Sequence, residues 1–180
     1  MKRAVFLDLN GTVVMPLKQE YLSELSLIDG VAPAIARLNR AHYVCPVVTV
    51  QSRIAKGLFS EQDFRRWFDG LAKELTGFGA TVVGPYVCPH RYAEPCACKK
   101  PSTLLFEVAA AEHGVNLERS FVIGDTADDV EAAKRFGGQG CLVKTGWAAQ
   151  PSEVERAAPY AAFMANTFTE AVDWILRLDG

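Results

Sequence analysis

The 180-residue chain has no apolar run that approaches the roughly 18 residues of a membrane-spanning helix, which excludes a transmembrane segment of that kind. Charge of one sign is lacking too: 19 Lys+Arg stand against 21 Asp+Glu, for a net charge of −2. Such a balance gives no general attraction to nucleic acid or to an anionic membrane. Nor is there a stripe of basic residues interleaved with aromatics, so a nucleic-acid partner is not expected. Internal repeats, linkers and low-complexity tracts are missing. One domain over residues 1–180 is expected, long enough to bury a real core. The opening MKRAVFLDLNG turns from charged to apolar, but Asp8 cuts the apolar run too short for a signal peptide. A cytoplasmic chain is the expectation. Its five cysteines are then not expected to pair as disulfides.

What is present is an alternation. Strand-like apolar runs occur at Ala4 to Leu7, Val44 to Thr49, Val82 to Cys88, Phe121 to Ile123 and Cys141 to Val143, with a weaker one at Ala161 to Met164. Helical periodicity separates them. Val31 to Ala41 puts Val31, Ile35 and Leu38 on one face, and Glu61 to Thr76 repeats Phe64, Trp67, Phe68, Leu71 and Leu75. Leu104 to His113 stops at Gly114, Ala127 to Phe136 stops at Gly137-Gly138, and Thr169 to Leu178 comes last. The order predicts an α/β fold, a Rossmann-like three-layer arrangement with a parallel sheet covered on both faces. Ligands bind such sheets at the carboxyl ends of the strands.

Chemistry gathers at those ends. Asp8 follows the first strand and Thr49 ends the second. Lys99-Lys100-Pro101 precedes a helix. Asp125 follows the strand at Phe121 to Ile123, with Asp128 and Asp129 close behind. A carboxylate can attack phosphorus, a hydroxyl and an ammonium can hold phosphoryl oxygens, and further carboxylates suit Mg²⁺. Alone, each residue is as well explained by a turn, a helix cap or a β-former. In this order they point to phosphoryl transfer.

A second constellation is CPHRYAEPCAC, where Cys88, His90, Cys96 and Cys98 form two close pairs within 11 residues. Three thiolates and one imidazole make a closed tetrahedral zinc site, structural in role. Core cysteines do not account for two pairs so close. The loop leads directly into Lys99-Lys100 and would position them. Cys45 and Cys141 lie in strands and read as buried, inert thiols.

The segments DLNGT, VVTVQSRIAKGLFSEQDF, CPHRYAEPCACKKP and FVIGDTADDVEAA resemble phosphatases of the haloacid dehalogenase superfamily, over nearly the whole chain. The likeness is greatest to the D-glycero-D-manno-heptose bisphosphate phosphatases and the related histidinol phosphatases. It implies the haloacid dehalogenase fold. With only about 40 residues between Asp8 and Thr49, no large cap domain is expected. It implies Asp8 as the nucleophile of an aspartyl-phosphate intermediate. Mg²⁺ would be held by Asp8, the backbone carbonyl of Asn10 and Asp125, with Asp129 in support. Thr49 and Lys100 would bind the phosphoryl group, and Gln51, Ser52, Arg53 and Lys99 would lie along the substrate. The related phosphatases carry the zinc loop. The implied substrate is a small sugar phosphate, heptose 1,7-bisphosphate first and histidinol phosphate as the alternative, acted on by a monomer. Arg53, Lys56, Arg91, Lys99 and Lys100 together suit a second anionic group on that substrate.

One departure is central. Where the family has Asp, to protonate the leaving oxygen and then activate water, this chain has Asn10. An amide does neither at neutral pH, and the expected loss is about 10²- to 10⁴-fold. A natural divergence or an engineered block would each account for it. Val50, Arg53, Lys99 and Thr103-Leu104 also depart from the family pattern, which tilts the choice to divergence. Two further readings stand beside the phosphatase: a catalytically weak phosphosugar-binding protein, and a nucleic-acid end-processing phosphatase that the acidic balance disfavours.

Overall fold

The computed structural model describes residues 1–178. The central strand β1 (Arg3–Leu7) is wholly apolar after its first residue, as a strand buried on both faces must be. Its side chains alternate between two cores. Val5 and Leu7 point into one with Val31, Ile35, Phe64, Phe68 and Ile175. Ala4 and Phe6 point into the other with Phe106, Ala109 and Ala132. Around β1 the parallel sheet runs in the order β6 (Val83–Cys88), β5 (Pro46–Val50), β1, β7 (Phe121–Gly124), β8 (Gln139–Val143) and β9 (Ala161–Ala165). The short β4 (Tyr43–Val44) also pairs with β1. The single strand expected at Val44 to Thr49 is therefore broken at Cys45. Pro46 has no N–H to give a ladder, and β1 is paired by Tyr43 and Val44 before the break and by Val47 after it.

The helices follow the apolar periodicity. α1 (Val31–Arg40), α3 (Glu61–Gly77) and α7 (Phe168–Arg177) cover one face. α4 (Leu104–His113) and α5 (Ala127–Arg135) cover the other. Gly114, at φ +65°, ends α4 in the left-handed conformation that a side chain disfavours. Sequence periodicity missed three short pieces: the two-residue hairpin β2 (Val14–Met15) and β3 (Ser26–Leu27), the single turn α2 (Ser52–Ala55), and α6 (Pro151–Ala157). Between β1 and α1 lie only that hairpin and a 3₁₀ turn at Leu22–Glu24. No helix among the described residues is long and apolar enough to cross a membrane.

Because β1, β5 and β7 are neighbours, the residues that follow them share one edge of the sheet. The helix after β7 must then come close. Gly140 on β8 makes room for it: a Cβ there would sit 2.7 Å from the Cα of Val130 in α5. Gly140→Ala should lower the unfolding free energy by about 1–3 kcal/mol, the usual cost of overpacking a full core. Denaturant titration with an unchanged m-value would show it. A variant as stable as the parent would show that α5 is not seated so tightly.

Candidate active site

Lys100 is the centre of the site. It enters from the loop after β6 and is buried beside the ends of β1 and β5. Its ammonium donates to Asp8 Oδ1 at 2.6 Å, to Asp129 Oδ1 at 2.5 Å and to the carbonyl of Val48 at 3.1 Å. All three N–H donors are thus matched. Burial alone would lower the lysine pKa, but Asp129 and Asp8 outweigh it and hold the group above its ordinary value. Lys100 is a cation here.

Three buried carboxylates surround this one ammonium. Asp8 follows β1, Asp125 follows β7, and Asp129 lies in the first turn of α5. Burial pushes the Asp8 carboxyl up to about 6; Lys100 opposes that rise and Asp129 adds to it. Burial also raises Asp125 well above the usual carboxylate range, and repulsion from Asp8 and Asp129 adds to it. With all three ionised the cluster carries two more negative charges than positive ones, in a place where water cannot screen them.

The three carboxylates do not have equal freedom. Asp129 Oδ2 accepts from the backbone N–H and hydroxyl of Thr126, at 3.1 and 2.6 Å, which caps α5. Its Oδ1 is on Lys100, so Asp129 is fully occupied as an orienting group. Asp125 Oδ2 accepts from the N–H of Trp147 at 2.6 Å. Asp8 Oδ2 meets the Thr12 hydroxyl at 3.3 Å. One oxygen from each carboxylate lies within 4.8 Å of the others. Hard oxygen donors with surplus negative charge fit Mg²⁺, and Asp8 and Asp125 retain the freer oxygens. The backbone comes unusually close to Asp125. A Cβ on Gly11 (φ +88°) or on Gly146 would run into its Oδ2.

A chain of amides flanks the cluster. Gln51 Nε2 donates to Thr49 Oγ1 at 2.9 Å and to Asn10 Oδ1 at 2.8 Å. Since Thr49 Oγ1 accepts from Gln51, its own proton is free for another acceptor. Asn10 Nδ2 reaches Gln19 Oε1 at 3.4 Å, and the buried Gln19 Nε2 has no hydrogen-bond partner among the described residues. The hydrogen bonds of the turn after Asp8 run from Gly11 N to Val14 O and from Val14 N to Leu9 O, and leave the Asn10 carbonyl aside.

Asp8, Asn10, Thr49, Ser52, Arg53, Lys99, Lys100 and Asp125 line one cavity of about 250 Å³, while Gln51 is buried behind it. Two of the basic side chains turn their charge to the backbone instead. Arg53 donates to the carbonyls of Gln19 at 2.5 Å and Leu17 at 3.3 Å. Lys99 caps the carbonyls of Arg91, Tyr92 and Glu94 at 2.6, 2.8 and 2.7 Å. Thr12, Gln19, Lys18 and the Gly146-Trp147 turn are site residues that sequence reading missed. The turn follows β8, so the strand-end rule could have found it.

The four candidate zinc ligands also converge. Cys88 Sγ is 3.7 Å from Cys96 Sγ and 3.6 Å from His90 Nδ1, and Cys98 Sγ is 3.3 Å from His90 Nδ1. Two sulfurs bound at about 2.3 Å to one zinc stand about 3.8 Å apart across a tetrahedron, and a sulfur and a nitrogen about 3.5 Å apart. The spacing therefore fits one closed metal site. Cys45 and Cys141 are buried free thiols, each pushed up to about 12 by burial.

Comparison with known proteins places the chain among relatives. The HAD-hydrolase-like family model matches residues 97–171. A D-glycero-beta-D-manno-heptose-1,7-bisphosphate 7-phosphatase of Vibrio cholerae is 36% identical, with 98% of each chain covered. The enzyme of that name from Haemophilus ducreyi is 34% identical over 81% of this chain and 85% of its own. Among solved structures, the D,D-heptose 1,7-bisphosphate phosphatase of B. bronchiseptica, complexed with magnesium and phosphate, superposes with a TM-score of 0.87. It is 26% identical, over 98% of this chain and 99% of its own. The chain belongs to this family of haloacid dehalogenase-like phosphatases.

Proposed function

We propose that the chain is a Mg²⁺-dependent phosphatase of a small sugar bisphosphate, with heptose 1,7-bisphosphate the favoured substrate from the names of its relatives. It is read as a single cytoplasmic domain acting as a monomer. The observation that carries this reading is the Lys100 bridge, which orients Asp8 at the floor of the cavity and opposes the rise that burial imposes on its carboxyl. Asp8 attacks phosphorus, forming an aspartyl phosphate as the bond to the leaving oxygen breaks. The Thr49 hydroxyl accepts from Gln51 and turns its own proton to a phosphoryl oxygen. Mg²⁺, held by Asp8, Asp125 and the Asn10 carbonyl, would supply charge neutralisation for the transferring group. Asp129 fixes Lys100, and a zinc-braced loop from Cys88 to Cys98 delivers it.

The nucleophile and the metal can be tested together. Asp8→Asn should abolish phosphate release, because no neighbouring side chain replaces the attacking carboxylate. Asp125→Ala should do the same by loss of Mg²⁺. Activity that persists in both, once contaminating phosphatases are removed, would place the site elsewhere.

The loop has its own readout. Elemental analysis should find about one tightly held zinc per chain, lost when Cys96 and Cys98 are both changed to Ser. Zinc-free protein as purified, or zinc retained by the double variant, would count against these ligands.

Position 10 is the third test. Gln51 already donates to Asn10 Oδ1, and a half-turn of the Gln19 amide would aim its unpartnered Nε2 at the second atom. A carboxylate therefore fits the existing network. Asn10→Asp should raise kcat by about 10²-fold or more with little change in KM, since only proton transfer in the transition state is restored. No gain on any of a panel of phosphoesters would favour the phosphosugar-binding reading.

A further inference from the structure

If Asp8 attacks as read above, the leaving oxygen departs with an electron pair and needs a proton or must bear the charge. Asn10 is placed beside that event, because Gln51 bridges its Oδ1 to Thr49 Oγ1, the hydroxyl read as the phosphoryl ligand. An amide holds no proton to release. Several other acids of the cavity are engaged elsewhere, and Lys56 and Tyr92 also line it. Asp128 is paired with Arg156 at 3.1 Å. Lys99 is capped by three carbonyls and Lys100 by two carboxylates and a carbonyl. Lys18 lies over the Trp147 ring, 5.4 Å from its centre. No imidazole lines the cavity among the described residues.

We propose that the site discriminates among phosphoryl compounds by the acidity of the leaving oxygen. It favours anomeric, enol, aryl and acyl phosphates, and disfavours phosphates of ordinary alcohols. This deepens the phosphatase reading and rests on it. In the first step the bond from Asp8 Oδ to phosphorus forms and the bond from phosphorus to the leaving oxygen breaks. The electron pair stays on that oxygen, which leaves as an anion and takes a proton from bulk water afterwards. In the second step water attacks phosphorus, the aspartyl bond breaks, and the water protons pass to solvent. An oxygen that is stable as an anion loses little when no acid is present. An alkoxide loses the whole contribution of general acid catalysis. The terminal phosphate of a sugar bisphosphate, on an ordinary alcohol, should therefore turn over slowly.

The test compares acetyl phosphate, aryl phosphates of graded leaving-group acidity and glycerol phosphate. The parent, Asn10→Asp and Asn10→Ala are each measured with Mg²⁺ present. The quantity read is kcat/KM, which reports the step up to loss of the leaving group. In the parent it should fall steeply as the leaving oxygen becomes more basic. Asn10→Ala, equally without a proton, should keep that steepness. In Asn10→Asp the ratio of kcat/KM between the most and least acidic leaving groups should shrink by about 10²- to 10⁴-fold. A flat dependence in the parent would overturn the proposal and point to Lys18, Lys56 or Tyr92 as the proton source. An unchanged ratio in Asn10→Asp would overturn it as well. If none of the three proteins cleaves any compound, acetyl phosphate included, the phosphatase reading itself fails.

Discussion

The buried ammonium of Lys100 is the constraint on which the rest of this site depends. It is 6% exposed, and it survives there because three acceptors match its three N–H groups and two of them are charged. Each acceptor comes from a different part of the chain: Asp8 after β1, Val48 in β5, and Asp129 in α5. Removing one partner of such a buried pair typically costs about 3–5 kcal/mol. The Lys100 side chain can reach all three only if the loop before it has a fixed shape. That is a physical reason for the convergence of Cys88, His90, Cys96 and Cys98 within the loop, and for the three carbonyls that Lys99 gathers from it.

Opposite Lys100 the packing is done by backbone. Gly11 and Gly146 press on Asp125, and a Cβ on Gly124 would run into Asp129. Small residues at these points let main-chain dipoles, the Trp147 N–H among them, approach the carboxylates directly. The result is a dense group of like charges with few side chains between them. Lys100 neutralises only one of the three. The surplus makes the cluster unfavourable by itself and receptive to a divalent cation.

Most of the fold is legible in the sequence because its strands and helices are long enough for their periods to register. The exceptions have local causes. Pro46 interrupts a run of β-formers that composition alone joins together. The hairpin at Val14 and Met15 is two residues a side, too short for any period. At the site, strand ends identify Asp8, Thr49 and Asp125, and the cysteine spacing identifies the 88–98 loop. What composition cannot tell is where a long side chain turns. Arg53 and Lys99 read equally well as substrate ligands or as braces for nearby carbonyls, and the choice depends on loop paths with no sequence signature. Gln19 is similar: a surface-type residue in sequence, it is 2% exposed on a loop whose carbonyls at Leu17 and Gln19 accept from Arg53.

Asn10 has to be weighed against what the chain keeps. A buried cluster of three acids and one base is expensive for folding, and well-packed apolar residues in its place are often neutral or stabilising. A chain that no longer handled a charged ligand would have no physical reason to hold Asp8, Asp125, Asp129 and Lys100 in register, or to leave Gly11 and Gly146 bare for close approach. In the function proposed above, those features serve attack and charge neutralisation. In the proposed function Asn10 bears only on proton transfer, and it sits in a neutral amide network through Gln51 to Thr49. The two tasks are therefore separable in this architecture. In the proposed function, holding a phosphoryl group belongs to the buried charges at the sheet edge. Moving a proton would belong to one side chain on the turn after β1, and altering it leaves the charged framework in place.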